Sequence, residues 1–162
     1  MNDDSSYTVV TRLPELDRSM ANKIDKTSTA NLKKIKQSYN QEDAELVGPV
    51  KFANGVYYLG EIKEGVKNGY AKIITENSDY YYEGEVKNNQ PNGYGVFLMK
   101  SGEFYLGDWK DGKANGLGKF NSSEGVSQSK DSNLRFSMKE SGRTINLMVQ
   151  ELKNRKRGPS KK

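Results

Sequence analysis

Apolar and polar side chains alternate with period two along residues 56–120, and the alternation itself recurs. Gly60, Gly84 and Gly107, spaced 24 and 23 residues apart, each head the same local pattern. Two residues before each glycine stands a tyrosine (Tyr58, Tyr82, Tyr105), and one residue after it an acid (Glu61, Glu85, Asp108). A large apolar residue comes next (Ile62, Val86, Trp109), then a lysine (Lys63, Lys87, Lys110). The pairs Asn68-Gly69, Asn92-Gly93 and Asn115-Gly116 follow, then Ala71, Gly95 and Gly118, then Ile73, Phe97 and Phe120. Agreement at so many positions in three copies defines an internal repeat, which fixes the architecture before any single residue is weighed.

Period two predicts strands. Tyr58, Gly60 and Ile62 share one face, and Leu59, Glu61 and Lys63 share the other. The stretches Glu64–Asn68, Asn88–Asn92 and Asp111–Asn115 are rich in Gly, Asn and Pro and suit five-residue hairpin loops. Each copy is then one β-hairpin. The fold class is mainly β: a single elongated, twisted antiparallel sheet of consecutive hairpins, with short helices before and after it. Glycine weakens a strand interior unless something must come close to it. Here the approaching group is an aromatic ring, laid over a glycine of the neighbouring strand. At about 25 cal/mol per Å2, burying such a ring is worth on the order of a few kcal/mol. The structural glycines on this reading are Gly60, Gly69, Gly84, Gly93, Gly95, Gly107, Gly116 and Gly118.

The run Tyr82-Glu83-Gly84-Glu85-Val86-Lys87, followed by Asn92-Gly93-Tyr94-Gly95, resembles the MORN repeat. The resemblance covers about residues 56–120. A degenerate half-repeat lies at 47–55, where Gly48 and Val50 take the places of Gly95 and Phe97 and Asn54-Gly55 makes the turn. Departures are tryptophan in the third copy alone, Ala71 in place of a glycine, and Pro91 in a loop. The resemblance implies scaffolding at cytoskeletal or membrane-associated assemblies, ciliary axonemes among them.

The flanks are thinner. Residues 1–46 read as a polar arm, disordered to about residue 13. A short helix opening at Pro14 would carry Leu16, Met20 and Ile24, and a second over Thr29–Glu42 would carry Leu32, Ile35 and Tyr39. This arm either caps the first hairpin or docks on a partner. Residues 121–142 form a Ser-rich linker with one possible last strand at Leu134, Phe136 and Met138. Ile145, Met148, Val149 and Leu152 recur at helical spacing, which predicts an amphipathic capping helix over 143–156.

Charge separates the tail from the body. Residues 51–120 hold nine basic and nine acidic residues, whereas 121–162 hold ten basic and four acidic. Lys153, Arg155, Lys156, Arg157, Lys161 and Lys162 account for that excess, in a basic tail over 157–162 and the end of the helix before it. Such a tail is a solvated terminus, or it meets an acidic protein or an anionic lipid surface. Nucleic acid is disfavoured, because its electrostatic footprint would spread along the repeats and these are neutral. The start Met1-Asn2-Asp3-Asp4 has neither the cationic nor the apolar part of a signal peptide, so a cytoplasmic location is expected.

The chain of 162 residues contains no cysteine and no histidine. This excludes disulfides, thiolate and imidazole metal ligation, and nucleophile systems built on Cys or His. The acids Glu61, Glu85 and Asp108 recur with the repeat and read as exposed cross-strand pairs with lysine, not as a catalytic pair, which would occur once. The expected function is therefore non-catalytic, with no cofactor, no metal and no small-molecule substrate. The sheet is expected to expose a row made of Tyr58, Tyr82, Tyr105, Trp109, Ile73, Phe97 and Phe120 that takes a helix or strand of a partner protein. The alternative is a peripheral membrane protein that binds anionic phospholipid through the C-terminal helix and tail.

Overall fold

Strand-forming alternation and tight turns produce the sheet directly. In the computed structural model, residues 6–39, 46–122, 125–129, 135–136 and 147–148 are described. The elements in chain order are β1 (Tyr7–Val9), α1 (Arg18–Ala21), α2 (Lys26–Ser38), β2 (Leu46–Val47), β3 (Val50–Phe52), β4 (Val56–Lys63) and β5 (Val66–Thr75). They continue as β6 (Tyr80–Lys87), β7 (Gln90–Met99), β8 (Phe104–Lys110), β9 (Lys113–Ser122), β10 (Gly125–Ser129), β11 (Arg135–Phe136) and β12 (Leu147–Met148). One ten-stranded antiparallel sheet runs β1-β3-β4-β5-β6-β7-β8-β9-β10, with β2 also paired to β4. The strands β11 and β12 make a separate pair.

The hairpin loops are shorter than their composition predicts. Two residues close each one: Glu64-Gly65, Asn88-Asn89 and Asp111-Gly112, all at positive φ. Such turns match the twist of the flanking strands better than longer loops. The return strands therefore start two residues before the Asn-Gly pairs, and Pro91 lies inside β7. Neighbouring turns are stitched together, since Asn89 N donates to Lys67 O at 3.1 Å and Gly112 N to Pro91 O at 2.9 Å. The half-repeat keeps the register of the full ones: Val50 faces Tyr58 as Phe97 faces Tyr105.

The two faces of the sheet are packed differently. One, the ring face, buries Tyr58, Ile73, Tyr82, Phe97, Tyr105, Trp109 and Phe120 together with Val50, Phe52 and Ile62. The other, the arm face, carries Ile74, Tyr81, Val96, Leu98, Phe104 and Leu106, and on these sit Met20 and Leu32 of α1 and α2. Asp17 and Asp25 cap the two helices, accepting from Ser19 N at 2.7 Å and Ser28 N at 2.8 Å.

Several expectations for the flanks change. The arm is not disordered up to residue 13, because Tyr7–Val9 pairs with β3. It lies across the middle strands and not over the first hairpin, with Leu13, Leu16 and Ile24 packed beside Met20. Since β1 and β2 hold its two ends in the sheet, it is a strap and not an arm free to dock elsewhere. Within the expected linker, Gly125–Ser129 continues the sheet on β9. Of the expected C-terminal helix, only Leu147 and Met148 are described, and they pair as a strand with Arg135 and Phe136. The rest of that helix and the basic-tail residues lie outside the described residues.

Candidate functional site

The repeating constellation is a tyrosine, two glycines and an acid. Each tyrosine ring folds over the glycine two residues on and donates its hydroxyl to the carbonyl three residues on. Tyr58 reaches Glu61 O at 2.8 Å, Tyr82 reaches Glu85 O at 2.7 Å, and Tyr105 reaches Asp108 O at 3.0 Å. The ring also covers the residue opposite that glycine, namely Ala71, Gly95 or Gly118. A β-carbon on Gly95 would stand 2.6 Å from Cε2 of Tyr82, and one on Gly118 would stand 2.5 Å from Cζ of Tyr105. Side chains are therefore excluded there by the ring, as the alternation predicts. In the first copy Ala71 occupies this place, and a β-carbon on Gly60 would lie 2.8 Å from that of Ala71.

Just past each glycine the pairing slips. Gly60 faces Ala71 but Glu61 faces Asn68, and the same irregularity follows Gly84 and Gly107. The bulge formed by the Asn-Gly pair falls beneath the acid. Glu85 Oε2 accepts from Tyr94 N at 2.6 Å, and Gly93 at φ 105° has no room for a side chain against that carboxylate. Glu61 and Asp108 stand against Gly69 and Gly116 in the same way. The acids thus brace the bulges. They are not paired with Lys63, Lys87 or Lys110: the ion pairs among the described residues are Lys51–Glu76, Lys72–Glu83 and Lys119–Asp25.

Trp109 joins two repeats. Its ring meets Tyr82 edge-on at 5.6 Å, Tyr105 at 5.3 Å and Phe97 at 6.2 Å, and its Nε1 donates to Gly95 O at 3.2 Å inside the core. The expected exposed aromatic row is therefore not exposed. Tyr58, Tyr82, Tyr105, Trp109, Ile73, Phe97 and Phe120 are all brought onto one face, and all seven are buried, Ile73 the least so at 8 %. Flat rings close over bare backbone and over one another, so the row forms core where a groove was expected.

The arm face holds polar contacts that the alternation does not reveal. Tyr94 Oη donates to Ser28 Oγ of α2 at 3.1 Å, and Tyr39, just past α2, donates to Glu85 Oε1 at 3.1 Å. Glu83 accepts from the hydroxyls of Tyr70 and Tyr81. Burial is the main reason that the Tyr82 and Tyr105 hydroxyls ionise well above their ordinary range. Tyr39 is pushed up to about 12 by burial and by the nearby Glu85 charge. These phenols stay protonated donors at neutral pH and are unsuited to proton transfer there. Asp25 is held below its usual range by the Ser28 backbone amide. Tyr39 was legible as an apolar helix position, but nothing in its spacing signalled a bond to Glu85.

The repeat register, the ring-over-glycine packing and the bulge recur in all three hairpins, and the MORN repeat family model matches residues 58–80, 82–104 and 105–127. Residues 58–127 of the sheet form three consecutive MORN repeats. No match is found among curated proteins. The MORN repeat family is non-enzymatic, and its repeats are found in scaffolds that bind proteins or membranes. No helix among the described residues is long and apolar enough to cross a membrane.

Proposed function

We propose that this MORN-repeat protein is a non-catalytic scaffold that binds a partner protein, within a cytoskeletal assembly of the ciliary-axoneme type. One observation carries the reading. The tyrosine hydroxyl of every repeat bonds to the sheet's own backbone, while the exposed lysine at each hairpin turn faces outward. Lys63, Lys87 and Lys110 thereby recur once per hairpin along one rim of the sheet. At about 4.8 Å per strand this places them about 10 Å apart, a rigid ruler for a partner that runs across the strands. The location is suggested by the family resemblance alone.

Lysine-reactive crosslinking in cells, followed by identification of the joined peptides, tests this reading. The expected result is peptides of a cytoskeletal protein attached at Lys63, Lys87 and Lys110, lost on changing all three to glutamate. Crosslinks confined to Lys153, Lys156, Lys161 and Lys162, with salt-sensitive cosedimentation on anionic vesicles, would transfer the function to the membrane reading.

A further inference from the structure

One end of the sheet is β1, which pairs on one side with β3 and on the other with no described strand. Val10 N donates to Pro49 O at 3.0 Å, which marks Val10 and Pro49 as a hydrogen-bonded pair. Pairing alternates along an antiparallel ladder, so Thr8 and Lys51 form the next such pair. The N–H and C=O groups of Tyr7 and Val9 must then point away from β3, into the open edge. The side chains of both residues share the ring face with their partners Phe52 and Val50, and both are exposed, Tyr7 at 42 % and Val9 at 72 %. Exposed edges of this kind are templates for another strand.

We infer that β1 pairs antiparallel with β1 of a second copy, about a twofold axis through Thr8. The edge complements itself. Tyr7 and Val9 each exchange N–H···O=C bonds with the other copy's Val9 and Tyr7, which gives four bonds. The tyrosine ring lies beside a valine on the ring face, and the two Thr8 side chains meet on the arm face as a favourable cross-strand pair. No residue from Ser6 to Val10 is charged, so like charges do not oppose the pairing. Pairing with a second copy satisfies the outward groups of both chains at once. The result is a two-copy scaffold with one continuous sheet, and it does not depend on which partner the lysine rim binds.

The axis gives a direct test. At a non-hydrogen-bonded antiparallel pair the two Cα atoms lie about 4.5 Å apart, within disulfide range. The chain has no cysteine, so Thr8→Cys supplies its sole thiol. With oxidised glutathione, two such thiols form one disulfide and the glutathione is reduced. The full-length Thr8→Cys protein should become mostly covalent dimer, whereas Leu117→Cys, at an exposed site on another strand, should form almost no covalent dimer. Sedimentation of the cysteine-free chain should show a dimer that Val9→Pro shifts to monomer, because proline removes an outward N–H and leaves the β1–β3 bonds intact. Equal crosslinking at positions 8 and 117, or sedimentation as a monomer at all concentrations, would overturn the proposal. So would a dimer indifferent to Val9→Pro.

Discussion

The two faces of the sheet solve the same problem by opposite means. The ring face shields itself: tyrosines lie on glycines of their own and adjoining strands, and Trp109 fills the junction between repeats. The arm face cannot do so, since its Ile74, Val96 and Leu98 have no rings folding over bare backbone, and it borrows Met20 and Leu32 from a strap. The difference shows how a lean chain, 33% apolar, covers both sides of one sheet. One side is closed by a local device repeated three times, and the other by a segment used once.

Alkali should break the comparison most severely. Folded-state pKa values of the buried tyrosines lie above the ordinary 10.0, because the fold favours the neutral phenol. Their stabilisation is therefore complete below pH 10 and is lost as pH climbs through the raised folded values. For Tyr82 the loss is about 1.4 kcal/mol per pH unit above 10. Urea titrations at successive pH values should show the midpoint falling steeply above pH 10 and level between pH 7 and 9. Next in size is Trp109→Ala, which removes a ring from three neighbours and should cost about 3–5 kcal/mol in chemical denaturation.

Leu32→Ala probes the other face. It should cost about 2 kcal/mol, and its signature is local. Hydrogen exchange should quicken over α2 while β6–β9 remain protected, since the ring face does not rest on the strap. Asp25→Ala removes the α2 cap and should cost about 1 kcal/mol. That loss should vanish as pH falls below the ordinary carboxylate value of 3.8, because the lowered pKa of Asp25 contributes only while the group is charged.

The ring face was legible in the sequence because its cause is local and periodic. A tyrosine two residues before a glycine, with a second glycine or alanine at a fixed distance, states its own packing, and the register at Val50 and Tyr58 follows from it. Exposure was misread because burial is collective: whether a ring ends up as groove or as core depends on its neighbours. The two-residue turns were missed because Asn68-Gly69 and its equivalents look like turn residues, whereas they form bulges. The role of Glu85 depends on that bulge and was invisible without it. The strap was half legible. Helical spacing marked Leu32, but the strand it covers lies some 40 residues or more away in sequence, and no local rule names it.

The central claim is that tyrosine rings occupy the space above strand glycines and that this contact holds the sheet. A double-mutant cycle of Gly95→Ala and Tyr82→Ala, followed by equilibrium unfolding, tests it most directly. Gly95→Ala alone should cost about 1–3 kcal/mol, because the new β-carbon meets the Tyr82 ring, and should cost almost nothing once that ring is gone. Equal costs in both backgrounds would mean that ring and glycine do not share that space, and the account would fail.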